Sequence, residues 1–185
     1  MERLFKQFQK LFQSKDIQRA MRALVASAEA GFADAQAALG NAYLHGQVGA
    51  VDYGKALYWS EKAAAQDNAM AMTNLASQYM YGHGISADGK KALELLHCSM
   101  ELGYFKAYRY LGLCYAEGIG VEVDPIAAAE WYLHGAENGD ITSQYLLGQC
   151  YEFGTGVERS IEKAIGWYKN LLNAAIRSQN PQCWP

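Results

Sequence analysis

The sequence predicts an all-α protein, a right-handed α/α solenoid (superhelix) of stacked antiparallel helix pairs. Three observations predict this class: a period of 36 residues without insertion or deletion, two apolar stretches in each period, and a glycine-containing loop between them. Periods of about 20–50 residues are typical of solenoids, and stretches of about a dozen residues suit helices better than strands. The registers that repeat are Leu39, Leu75, Leu111 and Leu147; Tyr43, Tyr79, Tyr115 and Tyr151; Gly46, Gly82, Gly118 and Gly154; and Asp52, Asp88, Asp124 and Ser160.

The first helix of each repeat is predicted from apolar residues at helical spacing. In the first copy, Ala35, Leu39 and Tyr43 recur along one face of a helix. Gly46 follows at the point where a left-handed residue closes the last turn of a helix. We therefore expect the first helix of each copy to end near its glycine.

The second helix of each repeat is predicted to begin at the aspartate register. A short carboxylate or hydroxyl side chain there accepts a hydrogen bond from the backbone amides of the first turn, so Ser160 can replace aspartate. In the first copy Ala56, Trp59 and Ala63 then follow along one side. The small residues allow the helices to approach closely, and the aromatic residue fills the space between repeats.

A second glycine register lies inside the first helix, at Gly40, Gly112 and Gly148. Glycine weakens a helix interior by about 1 kcal/mol, so this register needs a structural reason. A close crossing of two helices supplies one, because a missing side chain lets two backbones approach. We expect a bulky residue at Gly112 to push the helices apart.

The period extends backwards to a half repeat, because Asp16 and Ala20 lie 36 residues before Asp52 and Ala56. Since each module of a solenoid contacts its neighbours, we expect one elongated domain. Before the half repeat, an apolar stripe predicts an amphipathic cap helix: Leu4, Phe5, Phe8, Leu11 and Phe12. The predicted segments are the cap and half repeat at 1–30, repeats at 31–66, 67–102, 103–138 and 139–176, and a tail at 177–185.

Composition and charge narrow the function classes. The chain has 185 residues, of which 51% are hydrophobic, and a net charge of −3. Nucleic-acid binders usually carry a basic face, so no nucleic-acid partner is predicted. The N-terminus lacks the pattern of a secretory signal, and no integral membrane segment is expected. Cys114 and Cys150 share one register and are predicted to be small buried hydrophobic residues, which favours a reduced, cytoplasmic protein.

The combined motif resembles the Sel1-like repeat, a relative of the tetratricopeptide repeat. It is carried by AQAALGNAYLHG and DYGKALYWSEKAAAQD in the first copy, and the third copy has the fullest match. The resemblance covers about residues 16 to 175. The sequence departs from the family pattern in two places. The loop at 46–49 does not keep the usual GxGV order, which predicts an altered turn. Secreted members of the family carry a pair of cysteines at registers that hold Met100 and Tyr108 here, so their disulfides cannot form.

Catalytic and metal-binding patterns give no site. Ser160 and Lys163 have the SxxK spacing of penicillin-recognising enzymes, but the accompanying elements are absent and the repeat explains both residues. His97, Cys98 and His134 come near one another only across stacked helices and lack further ligands. We predict no enzyme activity, no cofactor and no metal.

The resemblance implies that the first helices line a concave face, where residues that differ between copies meet a ligand. Arg109 is predicted to pair with a carboxylate of a partner, and Tyr81, Tyr145 and Phe153 are predicted to be aromatic anchors. The predicted partner-binding residues are Asn41, Thr73, Ser77, Tyr81, Arg109, Leu113, Tyr145, Gln149 and Phe153.

These observations predict a non-catalytic adaptor or scaffold that binds a peptide or protein segment in its concave groove. One alternative is a specific inhibitor or immunity-type regulator of an effector protein. A hydrolase with an unrecognised site is the alternative from another class. The N-terminal helix has two alternatives to its capping role, which are membrane-surface binding and self-association.

Overall fold

The fold consists of consecutive α-helices joined by short loops. The computed structural model describes residues 6, 17–47 and 49–179, with residues 17 and 171–179 described by their backbone alone. Every regular element in these ranges is a helix. The helices are α1 (Ile17–Glu29), α2 (Ala33–Leu44), α3 (Tyr53–Ala64), α4 (Ala69–Tyr81), α5 (Gly89–Glu101), α6 (Ala107–Glu117), α7 (Pro125–Glu137), α8 (Ile141–Phe153) and α9 (Ile161–Gln179).

The chain divides into two compact units at the junction between two repeats. Unit 1 extends to Tyr104 and holds α1 to α5, and unit 2 begins at Phe105 and holds α6 to α9. Within each unit a helix packs against its neighbours in the chain, and the first helices of successive repeats also touch, α2 with α4 and α6 with α8. The predicted stacking of helix pairs is confirmed within each unit.

The predicted caps of the second helices are confirmed in all four repeats. Asp52 and Asp88 accept hydrogen bonds from the backbone N–H three residues later, and Asp124 accepts from two successive N–H groups. Ser160 Oγ lies 3.3 Å from the backbone nitrogen of Lys163. In each of the four repeats, a short polar side chain therefore caps the N-terminus of the second helix.

Glycines end three of the four first helices as predicted. Gly82, Gly118 and Gly154 adopt left-handed conformations with φ between 70° and 74° and close the last turn. The first copy differs, because α2 ends at Leu44 and Gly46, with φ of 67°, lies beyond His45. The altered turn predicted for this loop is confirmed, and Val48 within it lies outside the described residues.

The glycines inside the first helices lie where two helices cross closely. A Cβ atom at Gly112 would overlap the ring of Tyr132 on α7, and one at Gly148 would overlap the ring of Tyr168 on α9. At Gly40 the corresponding neighbour is Ser60 Oγ, at 2.8 Å. The close approach predicted from this register is confirmed, and a tyrosine ring fills the space in two copies.

Small and medium apolar side chains form the core of each unit. In unit 1, Leu24, Ala28, Ala35 and Leu39 cluster between α1 and α2. In unit 2, the buried cluster of α7 and α8 consists of Ala128, Ala129, Tyr132, Ala136, Leu147 and Cys150. The repeat registers that hold leucine and alanine therefore supply most of these core residues, and Tyr132 and Cys150 complete the cluster of unit 2.

The two ends of the chain extend the repeat pattern differently. Helix α1, which begins at Ile17, lies in the segment predicted to be the half repeat. The predicted cap stripe from Leu4 to Phe12 and the capping residue Asp16 lie outside the described residues. At the other end α9 continues to Gln179, beyond the predicted repeat boundary at 176, and Cys183 and Trp184 lie outside the described residues.

Candidate functional site

The predicted partner-binding residues of unit 1 differ in their exposure. Asn41 on α2 is half-buried, whereas Thr73 and Ser77 on α4 are buried. The Thr73 hydroxyl is 2.8 Å from Ser99 Oγ on α5, and Ser77 donates to the carbonyl of Asn74. Thr73 therefore helps to join α4 to α5.

Tyr81, the fourth predicted residue of unit 1, belongs to an aromatic group at the end of α4. Its side chain is 45% exposed. The Tyr81 ring centroid lies 5.8 Å from that of His83, which stacks on Tyr53 at 4.3 Å with an interplanar angle of 5°. Such stacking holds the rings in place at the surface.

Arg109 and Leu113 in unit 2 both contact their own unit. Arg109 Nη1 lies 3.4 Å from Asp140 Oδ1 and donates to Thr142 Oγ1 at 3.2 Å. The Asp140 side chain is only 5% exposed and also caps α8 by accepting from the Ser143 amide. Leu113 packs against the unit 2 core. The cation that the sequence assigns to a partner's carboxylate therefore already neutralises a carboxylate of this chain.

The remaining three predicted residues lie together on α8. Tyr145 is 45% exposed and Phe153 is 68% exposed, while Leu147 on the same helix is buried in the core. Gln149 Nε2 donates to the Tyr145 hydroxyl at 3.2 Å, which links two of the three side chains. We call Tyr145, Gln149 and Phe153 the α8 face.

Tyr168 on α9 contacts two residues of α8, one of which, Tyr145, belongs to the α8 face. Its ring centroid lies 6.0 Å from that of Tyr145, and its hydroxyl donates to Glu152 Oε2 at 2.8 Å. Partial desolvation, followed by the nearby Glu152 carboxylate, raises the pKa of Tyr168 to about 12. Tyr168 therefore stays protonated at neutral pH and continues to donate the hydrogen bond that fixes its ring beside Tyr145.

Burial or capping accounts for several residues of chemically reactive type. Burial raises the pKa of the Cys114 thiol to about 12 and also raises that of Cys150, so both thiols stay protonated, as expected for small buried hydrophobic residues. Ser160 caps α9 through the Lys163 amide, which accounts for the SxxK spacing. Within the described ranges, no group of three His, Cys, Asp or Glu side chains could hold a metal ion.

A repeated lysine–tyrosine contact was not predicted from the sequence. Lys55 Nζ lies 5.2 Å from the Tyr43 ring centroid, Lys91 Nζ 4.6 Å from that of Tyr79, and Lys163 Nζ 5.1 Å from that of Tyr151. These are cation–π distances. The signal is present in the sequence as a lysine three residues after the cap and twelve after the tyrosine, recurring in three of four copies.

No helix in the described part of the chain is both long enough and apolar enough to span a bilayer.

Comparison with protein families assigns the repeats. The sequence profile of the family described as Sel1 repeat matches residues 33–68, 69–104, 105–140 and 141–170. Each of these four segments contains one first helix and all or part of the second helix that follows it. No curated protein matches the sequence at a significant level.

Solved structures share the fold. A Sel1 repeat protein from Oxalobacter formigenes is 33% identical with a TM-score of 0.73, covering 88% of this chain and 64% of its own. The protective antigen c5321 of uropathogenic Escherichia coli, which displays an SLR fold, is 31% identical with a TM-score of 0.70, covering 92% and 38%. A sel1 repeat protein from Klebsiella pneumoniae subsp. pneumoniae is 22% identical with a TM-score of 0.68, covering 95% and 87%. This chain thus spans less than two thirds of the length of the first two.

Proposed function

The chain belongs to the Sel1 repeat family, and from that premise we propose that it is a non-catalytic adaptor that binds a segment of a partner protein. The Sel1 repeat fold is generally a scaffold for protein–protein interaction. Its first helices carry the registers that the family resemblance assigns to the concave side. The cytoplasmic location predicted from the sequence stays a prediction.

The observation that carries the proposal is the exposed aromatic surface on α8. Phe153 and Tyr145 are large apolar side chains that remain 68% and 45% exposed, although the opposite side of the same helix is buried. Aromatic residues of this kind are enriched among the residues that dominate binding energy at interfaces.

The contacts of Tyr145 support a preformed binding surface. Gln149 and Tyr168 hold the Tyr145 hydroxyl and ring from two sides. The Gln149 amide group can also hydrogen-bond a peptide backbone, since it carries both donors and an acceptor. A segment with an apolar side chain for the two rings and a backbone amide for Gln149 fits these groups.

Some of the predicted residues have contacts within this chain, so substituting them would not test partner binding alone. Arg109 is paired with Asp140, so replacing it alters the ion pair of unit 2 as well as any partner contact. Thr73 is hydrogen-bonded to Ser99, so its substitution would also alter a contact between α4 and α5. In unit 1 we assign the partner contact to Tyr81, whose ring is partly exposed.

Affinity capture from the native lysate, with quantitative mass spectrometry, tests the proposal. We compare the wild-type chain with the double variant Tyr145→Ala and Phe153→Ala. The control is Ile141→Ala, because Ile141 is 51% exposed at the start of the same helix and lies outside the predicted registers. A partner that wild type and the Ile141 variant retain and the double variant loses supports the proposal. Equal recovery on all three refutes the assignment to α8.

A further inference from the structure

The lysine–tyrosine contact occurs beside the capping aspartate of the second helix. In the first copy, Lys55 Nζ lies over the Tyr43 ring and 3.1 Å from Asp52 Oδ2. The ammonium is thus held between an aromatic face and a carboxylate. In the second copy, Lys91 Nζ lies 4.6 Å from the Tyr79 ring centroid, and Tyr79, with a smaller contribution from the charge of Asp88, raises the pKa of that lysine.

One backbone hydrogen bond joins the tyrosine register to the capping register in each of the three copies that have an aspartate. The N–H of the capping residue donates to the carbonyl of the tyrosine, with distances of 3.1 Å at Asp52, 2.9 Å at Asp88 and 2.9 Å at Asp124. The backbones of the two residues are therefore held together in repeat 3, which lacks the lysine, as they are in repeats 1 and 2.

Repeat 3 has the acceptor groups but not the lysine. Tyr115 and Asp124 occupy the two registers, and Ala127 stands where the other copies have Lys55, Lys91 and Lys163. Asp124 Oδ1 accepts from the Ile126 and Ala127 amides. Among the described residues, no cationic side chain lies over the Tyr115 ring or forms an ion pair with Asp124.

Two apolar side chains near the capping residue Asp124 are largely exposed. Val123 is 60% exposed and Ile126 is 62% exposed, on either side of the cap. The corresponding positions of the other copies are Val51, Ala87 and Arg159 for Val123, and Gly54, Lys90 and Glu162 for Ile126. Repeat 3 alone combines two such apolar residues, which can contact the methylene stem of a long cationic side chain.

We propose that Tyr115, Asp124, Val123 and Ile126 form a binding site for a lysine or arginine side chain of a partner protein. The ring and the carboxylate receive the cationic group, and Val123 and Ile126 contact its aliphatic stem. Charge complementarity and the occupied sites of the other copies assign this occupant. The site lies outside the α8 face, so it identifies a second contact with its own partner chemistry.

The test uses two tripeptide probes on the full chain. One is acetyl-leucyl-lysyl-leucine amide, and the other has norleucine in place of lysine, which keeps the stem and removes the charge. Binding is followed through the ring signals of Tyr115 in aromatic carbon–proton NMR spectra. Because a surface cation–π contact contributes about 0.5–1 kcal/mol, we expect the lysine probe to bind about two- to five-fold more tightly. Equal affinity of the two probes would overturn the proposal.

Two variants sharpen the test. Ala127→Lys supplies the missing lysine internally, so the preference for the lysine probe should disappear; a preference that persists in a folded Ala127→Lys protein contradicts the site. Should that variant lose its helical circular dichroism, Asp124→Asn replaces it, because asparagine keeps a cap acceptor and removes the charge, with the same expected loss of preference at the Tyr115 ring. Neither result depends on the α8 face.

Discussion

Gly112 on α6 lies directly against the ring of Tyr132 on α7, at a distance that leaves no space for a Cβ atom. The same relationship joins Gly148 to Tyr168 in the next copy. Close helix crossing thus depends on one absent side chain, and the tyrosine ring takes the volume that a larger residue would occupy. The glycine is retained despite its low helix propensity because packing outweighs it.

Replacing Gly112 with alanine should destabilise the protein. The added methyl group overlaps the Tyr132 ring, and overpacking of this kind typically costs about 1–3 kcal/mol, which exceeds the gain of about 1 kcal/mol from helix propensity. The matched control is Gly166→Ala on α9, because no described atom other than those of its chain neighbours and its own helix backbone lies within 4 Å of its added Cβ. That control should be more stable by about 0.5–1 kcal/mol. Urea unfolding measures both, and equal stabilisation by the two substitutions would contradict the crossing.

The Arg109–Asp140 pair should contribute to the stability of unit 2. Arg109→Met removes the cation beside a carboxylate that is only 5% exposed. The loss of a hydrogen bond to a charged group is expected to lower the free energy of unfolding by about 1.5–3 kcal/mol. Arg109→Lys is the control that keeps the charge and should lose less. A Met variant as stable as wild type would mean that Arg109 is available for a partner after all.

Stability should depend on the ionisation of Asp52 at acid pH. The Lys55 amide, followed by the Lys55 side chain, holds the pKa of Asp52 below its usual 3.8. A carboxyl group whose pKa is lower in the folded state stabilises the protein above its unfolded pKa, and that contribution is lost as the pH falls through the folded value.

Unfolding free energies of wild type and Asp52→Asn, measured between pH 2 and 6, check this dependence. Asparagine keeps a cap acceptor but does not titrate. The two stability curves should converge as the pH falls from about 4 through the lowered pKa of Asp52, because the wild-type carboxylate becomes protonated over that range. Parallel curves over the whole range are inconsistent with a lowered pKa.

The described cysteines should differ sharply in reactivity. Cys98 is exposed, whereas Cys114 and Cys150 are buried with raised pKa values. Since the thiolate is the reactive form, iodoacetamide at pH 8 should label Cys98 in the folded protein and reach the other two only after unfolding. Peptide mass spectrometry assigns the labels. Early labelling of Cys114 would indicate that the α6 core opens.

Local features of the fold were predictable from the sequence because neighbouring residues determine them. The cap at Asp88 involves an amide only three residues away, and the left-handed Gly82 closes the helix that precedes it. The glycines inside the first helices also predicted that two helices cross closely at those positions. Each of these is repeated, so the four copies support the same interpretation.

The candidate site was less predictable because its side chains are engaged by residues far along the chain. Thr73 meets Ser99, 26 residues later, and Arg109 meets Asp140, 31 residues later. A register identifies the helix face on which a residue lies, but not whether a neighbouring helix covers it. Tyr145 and Phe153 could be predicted as surface aromatics, whereas the support from Tyr168 depends on the helix crossing.

Isothermal titration of the purified partner segment tests the central claim most directly. The account predicts that the double variant Tyr145→Ala and Phe153→Ala binds at least about ten-fold more weakly than wild type, since each truncated anchor typically costs more than about 1 kcal/mol. Ile141→Ala should bind as wild type does, and all three proteins should melt within a few degrees of one another. Unchanged affinity of the double variant, with its fold intact, would contradict an adaptor that binds through α8.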